Sequence, residues 1–198
     1  MQTEYEATFE NIDKEEIRER LKMAGAVLVK KETLYKRNTF NFPEGHQIKG
    51  GWARVRDEGD KITMGLKIVP TGDIAIDEQK EISFDVDNFD KATEFLTLLG
   101  CKEKSYQESK REMWKIGSVE ICLDEWPYLE PFCEVEGQSE QEVKDVSEKL
   151  GFDYTKALFC AVGTLYSRKY KVDVNFINNH IPKITFEMAN PFSELTKN

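Results

Sequence analysis

Residues 3–9 read TEYEATF and alternate between apolar and polar side chains. One face of this segment is apolar, and the other carries Glu4, Glu6 and Thr8. Alternation with a period of two predicts a β-strand with one packed face. For a single strand, the simplest interpretation is that both glutamates point into water.

The same alternation recurs along much of the chain and predicts seven further strands. They lie near residues 26–42, 50–57, 61–69, 76–86, 103–116, 118–125 and 131–137. The short connections RDEGDK (56–61) and IGS (116–118) are typical of hairpin turns. Strands joined in this way favour antiparallel pairing.

Helical spacing of apolar residues predicts four helices between groups of strands. They lie within residues 11–26, 87–102, 139–152 and 155–170, and the fourth is the least regular. Asp13 and Ser139 are the expected N-caps of the first and third helices. An α+β fold follows, mainly antiparallel β, in which about eight strands form a barrel or a highly curved sheet. Residues 1–170 would form this domain, and residues 171–198 an appended segment that packs on the barrel and frays at its end.

Charges on the polar faces of the strands are sorted by sign. Glu4, Glu6, Glu81, Glu120, Asp124, Glu134 and Glu136 are acidic positions, and Arg54, Arg56, Lys67 and Arg111 are basic ones. The opposite faces are apolar enough to pack beneath the helices, so the charged faces are expected to point into the barrel. Charges buried at this density must pair with one another or be neutralised by a ligand. We favour a ligand, because purely structural buried ion pairs are seldom more stable than apolar packing.

Both signs of charge have a chemical use in such an interior. Clustered carboxylates are suitable oxygen ligands for Mg²⁺ or Mn²⁺. Clustered arginines and lysines recognise phosphate oxygens. Together they predict a site for a complex of a divalent metal with a triphosphate.

Composition narrows the class of protein. The chain has 198 residues and a formal net charge of −9, which argues against nonspecific binding of nucleic acid. No segment has the length and hydropathy of a membrane span, and the N-terminus has no signal-peptide pattern. The four cysteines include no CxxC pair, so reduced thiols and a cytoplasmic location are expected.

An ordered set of short motifs resembles the CYTH superfamily, also called the triphosphate tunnel metalloenzymes. The set comprises ExE (4–6), RVR (54–56), GLK (65–67), KR (110–111) and LDEWPYLEPFCEVEG (123–137). No single motif is specific, but the ordered set over about residues 2–170 is a strong signal. Members include class IV adenylate cyclases, thiamine triphosphatases and inorganic tripolyphosphatases.

The resemblance implies an eight-stranded antiparallel barrel that encloses a tunnel, and it implies roles for the charged residues. The implied metal ligands are Glu4, Glu6, Asp124, Glu134 and Glu136. The implied phosphate ligands are Arg54, Arg56, Lys67, Lys110 and Arg111, although strict alternation turns Lys110 away from Arg111. The implied catalytic set is Glu4, Glu6, Arg54, Arg56, Lys67 and Arg111. Glu81 matches an acidic tunnel position whose role is less defined.

The chain departs from the family at one position, because Thr8 stands where the signature motif has lysine. Threonine carries no charge and is a poor general base. A metal-activated water, or Glu120 acting as the base, would have to compensate.

Three functions fit this set of residues. The leading hypothesis is a Mg²⁺- or Mn²⁺-dependent phosphohydrolase acting on inorganic, nucleoside or thiamine triphosphate. The first alternative is a class IV adenylate cyclase that makes cyclic AMP and pyrophosphate from ATP. The second is a non-catalytic sensor of triphosphate or polyphosphate. The expected partner is a small-molecule triphosphate, without nucleic acid or membrane, and a homodimer is left open.

Overall fold

The computed structural model describes residues 1–70, 72, 74–193 and 195. These residues include ten strands: β1 (Gln2–Thr3), β2 (Tyr5–Phe9), β3 (Val27–Asn41), β4 (Gly51–Asp57), β5 (Ile62–Ile68), β6 (Lys80–Val86), β7 (Lys102–Ile116), β8 (Val119–Glu125), β9 (Phe132–Gly137) and β10 (Lys183–Ile184). Five α-helices accompany them: α1 (Lys14–Met23), α2 (Phe89–Leu98), α3 (Glu140–Lys149), α4 (Val162–Tyr170) and α5 (Val174–His180). Short 3₁₀ turns occupy Ile76–Glu78 and Tyr154–Lys156.

Strands β1 to β9 form an almost closed antiparallel ring in the order β1-β6-β5-β4-β3-β7-β8-β9-β2. The ring closes through the N-terminal segment, because β1 pairs with β6 while β2 pairs with β9. Only Glu4 separates β1 from β2, and its N–H donates to the carbonyl of Gln79 at 3.0 Å. Counted as one interrupted strand, β1 and β2 complete the eight predicted positions. The predicted α+β fold with an antiparallel barrel is confirmed.

Two segments seal the ring where β2 runs past its neighbours. The buried side chain of Gln79 donates from Nε2 to the carbonyl of Glu6 at 2.9 Å. Thr8 and Leu158 exchange two backbone hydrogen bonds of 2.9 Å each. The fourth predicted helix therefore begins at Val162 rather than near residue 155, because the preceding residues are used as an extended partner of β2. Similarly, the strand predicted from residue 76 begins only at Lys80, after a 3₁₀ turn.

Helices α1 and α3 begin at the N-caps that their sequences predict. Asp13 accepts hydrogen bonds from the backbone of Glu15 and Glu16, at 2.8 and 3.1 Å, and Ser139 accepts one from Glu142. Gly25, which follows α1, has a φ of +77°, a conformation that glycine adopts without strain. These caps set the points at which α1 and α3 turn back onto the barrel.

Apolar side chains lie between the outer face of the ring and the helices. One buried cluster joins α1 and α3 to β2, β8 and β9, and includes Leu21, Ile121, Cys133, Val135 and Val143. A second joins α2 to β3 and β4. Because these faces of the strands are covered from outside, period-two alternation sends the charged faces inward.

The segment after α4 packs against the barrel. Helix α5 is followed by β10, which pairs in parallel with β7 through Lys183 and Tyr106. Phe192 is fully buried and stacks on Tyr166, with ring centroids 4.6 Å apart. The fraying expected at the C-terminus concerns residues 194 and 196–198, which lie outside the described residues. Within the described part of the chain, we found no helix of the length and hydropathy needed to cross a bilayer.

Candidate functional site

A cavity of about 790 Å³ occupies the interior of the barrel. Ten of the charged residues singled out from the sequence line it: Glu4, Glu6, Arg54, Arg56, Lys67, Glu81, Arg111, Glu120, Glu134 and Glu136. They come from seven strands, β2 and β4 to β9, and from the break between β1 and β2. The two glutamates of the opening segment therefore do not face bulk solvent, and Glu6 is only 6% exposed.

Two arginines of β4 each pair with a carboxylate. Arg54 on β4 lies 2.8 Å from Glu81 on β6, across the intervening strand β5. The pair spans β5 at Gly65, where an added Cβ would lie 2.5 Å from the Ile82 carbonyl oxygen. Arg56 donates from Nε to Glu58 at 2.9 Å. These pairs hold the guanidinium groups in place without filling the cavity.

Lys67 lies between the two glutamates of the N-terminal segment. Its ammonium is 2.8 Å from Glu4 Oε2 and 3.3 Å from Glu6 Oε1. Burial by itself would lower the pKa of Lys67, but the charges of Glu6 and Glu4 raise it above its usual value. Lys67 is therefore a permanent cation in the centre of the site.

Three carboxylates form a compact cluster that Lys67 only partly neutralises. Glu4, Glu6 and Glu136 each place one oxygen within 4.8 Å of the others. Burial, and then repulsion from Glu134, raises the pKa of Glu6 well above its ordinary value, against the attraction of Lys67. Burial and the charge of Glu4 raise the pKa of Glu136 to about 7. The cluster therefore holds more negative charge than the neighbouring protein groups stabilise.

This cluster fits a hard divalent cation. Glu4 Oε2 is buried and accepts no hydrogen bond of good geometry among the described residues, although Lys67 is nearby. Carboxylate oxygens are the donors that Mg²⁺ and Mn²⁺ prefer. A bound cation would give Glu4 Oε2 a positively charged partner. Its charge would also offset the mutual repulsion of the three carboxylates.

The remaining two predicted metal ligands lie in a separate arrangement around Arg111. Asp124 is fully buried and accepts two hydrogen bonds of 2.7 Å from the Arg111 guanidinium, a bidentate pair. Glu134 accepts a further hydrogen bond from the same guanidinium. Asp124 does not line the cavity, so its direct contact in the structure is with Arg111 rather than with the open space.

Two other predicted residues also lie outside the cavity. Lys110 points away from Arg111, as alternation predicts, and its ammonium pairs with Glu125 at 3.0 Å. Thr8 is 1% exposed, and its hydroxyl finds no hydrogen-bond partner among the described residues. Glu120 does line the cavity, where its carboxylate pairs with Lys115 at 2.8 Å.

Arg37 is a cavity residue that the sequence analysis missed. It lies on β3 directly opposite Arg56 on β4, and its guanidinium packs 4.4 Å from the centroid of the Trp126 ring. The sequence did not single out Arg37, because the segment VLVKKETLYKR contains four basic residues. The sequence analysis predicted where this strand begins and ends but did not assign its side chains to the two faces. Trp52 and Trp126 also line the cavity, whereas Trp114 belongs to the outer core and is 6% exposed.

A protein-family model for the CYTH domain matches residues 2–161. The chain belongs to the CYTH domain family. The predicted resemblance is confirmed, and the match extends from β1 to the residue before α4.

Solved structures share this fold at low sequence identity. The PH1012 protein of Pyrococcus horikoshii OT3 superposes with a TM-score of 0.67 at 21% identity, over 82% of this chain and 98% of that one. A protein of Vibrio parahaemolyticus described as a "putative adenylate cyclase" superposes with a TM-score of 0.70 at 12% identity, over 84% and 98%. No curated protein sequence matches the chain significantly. These likenesses show the fold.

Proposed function

We propose that this CYTH protein is a divalent-metal-dependent enzyme that hydrolyses a triphosphate. The observation that supports this most strongly is the presence of both a crowded carboxylate cluster and several arginines in one cavity. Three crowded carboxylates lie at one side, and the guanidinium groups of Arg54, Arg56 and Arg111 lie on other strands of the same ring. Membership of the CYTH family supports action on a triphosphate in general.

Glu4, Glu6 and Glu136 would hold the metal, for which we propose Mg²⁺ or Mn²⁺. When bound, the metal supplies Lewis-acid stabilisation of phosphate oxygens and lowers the pKa of a coordinated water. Glu134 lies close enough to raise the pKa of Glu6, and it links this cluster to Arg111.

The basic residues would bind the phosphate oxygens and stabilise negative charge as the terminal phosphoryl group is transferred. Arg54 and Arg56 offer donors in a fixed fork, and each is already oriented by a carboxylate, Glu81 and Glu58. Lys67 would stand between phosphate and acidic cluster, because it contacts Glu4 and Glu6. Such preorganised donors are the main means by which proteins catalyse phosphoryl transfer.

Hydrolysis also needs a group that orients the attacking water. Thr8 does not fill this role in our proposal, because it lies outside the cavity. Glu120 lines the cavity and is only partly neutralised by the half-exposed Lys115, so we assign it as the acceptor of the water proton. We place the reaction in the cytoplasm, and the four cysteines, all unpaired, suit that setting.

The test is release of phosphate or pyrophosphate from inorganic triphosphate, thiamine triphosphate, ATP and GTP, with Mg²⁺ and with Mn²⁺. Glu134→Gln and Arg54→Ala should each lower turnover by at least about a hundredfold, as expected when a charge-stabilising group is lost. Glu125→Gln, a control whose carboxylate pairs with Lys14 and Lys110 outside the cavity, should retain turnover.

Other outcomes would redirect the assignment. Pyrophosphate together with cyclic AMP from ATP would identify a cyclase. Triphosphate binding that depends on Arg54, with no turnover under either metal, would identify a sensor. Turnover that survives both Glu134→Gln and Arg54→Ala would remove the cavity from the reaction.

A further inference from the structure

Six basic residues line the cavity of the barrel, and five of them pair with carboxylates. The six are Arg37, Arg54, Arg56, Lys61, Lys67 and Arg111. The last five each place a nitrogen 4.0 Å or less from an oxygen of Glu4, Glu58, Glu81 or Asp124. Arg37 forms no salt bridge with any described residue. Within the described chain, the positive charge of Arg37 is therefore left for another group to balance.

Two neutral side chains hold the guanidinium of Arg37 instead. Gln107 lies directly opposite Arg37 in the pairing of β3 with β7, and its Oε1 accepts a hydrogen bond from Arg37 Nε at 2.8 Å. The guanidinium also packs on the ring of Trp126, 4.4 Å from the ring centroid. An amide oxygen and an aromatic face orient a cation without cancelling its charge.

Both neutral partners rest on the C-terminal part of the chain. Gln107 is paired in parallel with Ile184 of β10. Trp126 is 5% exposed and belongs to a buried cluster with Phe132 and six residues that follow the CYTH match: Leu165, Tyr166, Ile177, Ile181, Ile184 and Phe192. The segment after residue 161 therefore fixes the two side chains that contact Arg37.

Gln107 occupies the position from which a carboxylate would balance Arg37. Burial, and then repulsion from Arg54 and Arg56, lowers the pKa of Arg37 to about 9, so the guanidinium is still charged at neutral pH. A glutamate at position 107 would have nearly the same size as glutamine and would relieve this repulsion. Glutamine orients Arg37 but leaves the repulsion in place. Lower stability in exchange for function is common at binding sites.

We propose that Gln107 and Trp126 are positioning residues, which hold Arg37 toward the cavity while leaving its charge available to an anionic substrate. The inference rests on the proposed function, because it requires a triphosphate in the barrel. It also gives the C-terminal segment a role in the site that it does not line with charged groups of its own. A purely structural role for Gln107 makes a different prediction, namely that a carboxylate at this position stabilises the fold and leaves binding unchanged.

The experiment measures the dissociation constant of tripolyphosphate by isothermal titration calorimetry, in EDTA to halt metal-dependent turnover, together with the midpoint of thermal denaturation. Gln107→Glu should weaken binding by at least about tenfold, the effect of losing one charge-assisted contact. Its denaturation midpoint should be equal to that of the wild type or higher, because the new carboxylate pairs with Arg37. Gln138→Glu, an exposed control outside the cavity, adds the same net charge and should change binding by less than about twofold.

Variants of Trp126 test whether the aromatic face acts through Arg37. Trp126→Leu should weaken binding by about threefold or more, and Trp126→Phe should recover part of the loss, because a phenyl ring retains a weaker cation–π contact. In an Arg37→Gln background, Trp126→Leu should have no further effect on binding, since the two residues then no longer couple. If Trp126→Leu fails to fold, Gln107→Glu still decides the question.

Two results would overturn the inference and leave the proposed function intact. One is wild-type affinity in Gln107→Glu, and the other is an undiminished effect of Trp126→Leu when Arg37 is already glutamine. Tripolyphosphate binding without turnover of any triphosphate would refute the proposed hydrolysis, and the same dissociation constants would still test the positioning of Arg37. A wild type that neither binds tripolyphosphate nor hydrolyses a triphosphate would contradict the proposed function, and the inference would fall with it.

Discussion

Replacing Glu136 by glutamine removes one carboxylate from the cluster that it forms with Glu4 and Glu6 in the barrel cavity. In the protein without metal, burial and the charge of Glu4 raise the pKa of Glu136 to about 7, against an ordinary 4.5. The ionised carboxylate is therefore unfavourable in the folded state. Because each pKa unit is worth about 1.4 kcal/mol, the ionisation of Glu136 costs the folded protein about 3 kcal/mol.

The sign follows from proton binding. Between pH 4.5 and 7 the folded protein holds a proton on Glu136 that the unfolded chain has released, so stability falls as the pH rises through this window. The full cost of ionising Glu136 in the folded protein is present at pH 8, and it is absent below pH 4.5. Glutamine resembles the protonated carboxyl at every pH. In EDTA at pH 8 the variant should therefore be more stable than the wild type by about 3 kcal/mol, and this advantage should shrink toward pH 5.

The assay is urea denaturation at pH 5 and pH 8, in EDTA and with saturating Mg²⁺ or Mn²⁺. A metal ion that binds only the folded state, present at a hundred times its dissociation constant, adds about 2.7 kcal/mol to the free energy of unfolding. The wild type should gain more of this stabilisation than Glu136→Gln. Glu120→Gln is the matched control, because its partly exposed pair with Lys115 should change stability by less than about 1 kcal/mol. A Glu136→Gln variant less stable than the wild type in EDTA at pH 8, or stabilised equally by metal, would refute the reasoning.

Further predictions concern the residues that the structure places outside the cavity. Thr8→Val should leave the free energy of unfolding within about 1 kcal/mol of the wild type and leave turnover intact, since the buried hydroxyl has no hydrogen-bond partner among the described residues. A large loss in either assay would restore Thr8 to the site. Asp124→Ala should lower the free energy of unfolding by about 3 kcal/mol, because it removes both of the hydrogen-bond acceptors that Asp124 offers to the buried Arg111 guanidinium. The neighbouring Glu125→Gln should cost less than about 1 kcal/mol, because its pair with Lys110 is partly exposed; equal losses in urea denaturation would contradict this contrast.

Much of the architecture was readable from local pattern. Period-two alternation and N-caps such as Asp13 and Ser139 depend only on neighbours in the sequence. Such local patterns placed most strands correctly, and they placed three of the four predicted helices. The inward direction of Arg54 and Glu134 followed from the same alternation once helices covered the other face. Local pattern failed between Tyr154 and Val162, where pairing with β2 competes with helix formation.

The sequence by itself determined which residues carry charge and which face of each strand they occupy, because those properties depend on composition and on a fixed period. Only the tertiary structure decided how the charges pair. Closure of the ring joined Arg111 to Asp124 and grouped Glu136 with Glu4 and Glu6. Such pairings join residues up to about 130 positions apart, and they depend on strand order and register, which no local pattern encodes.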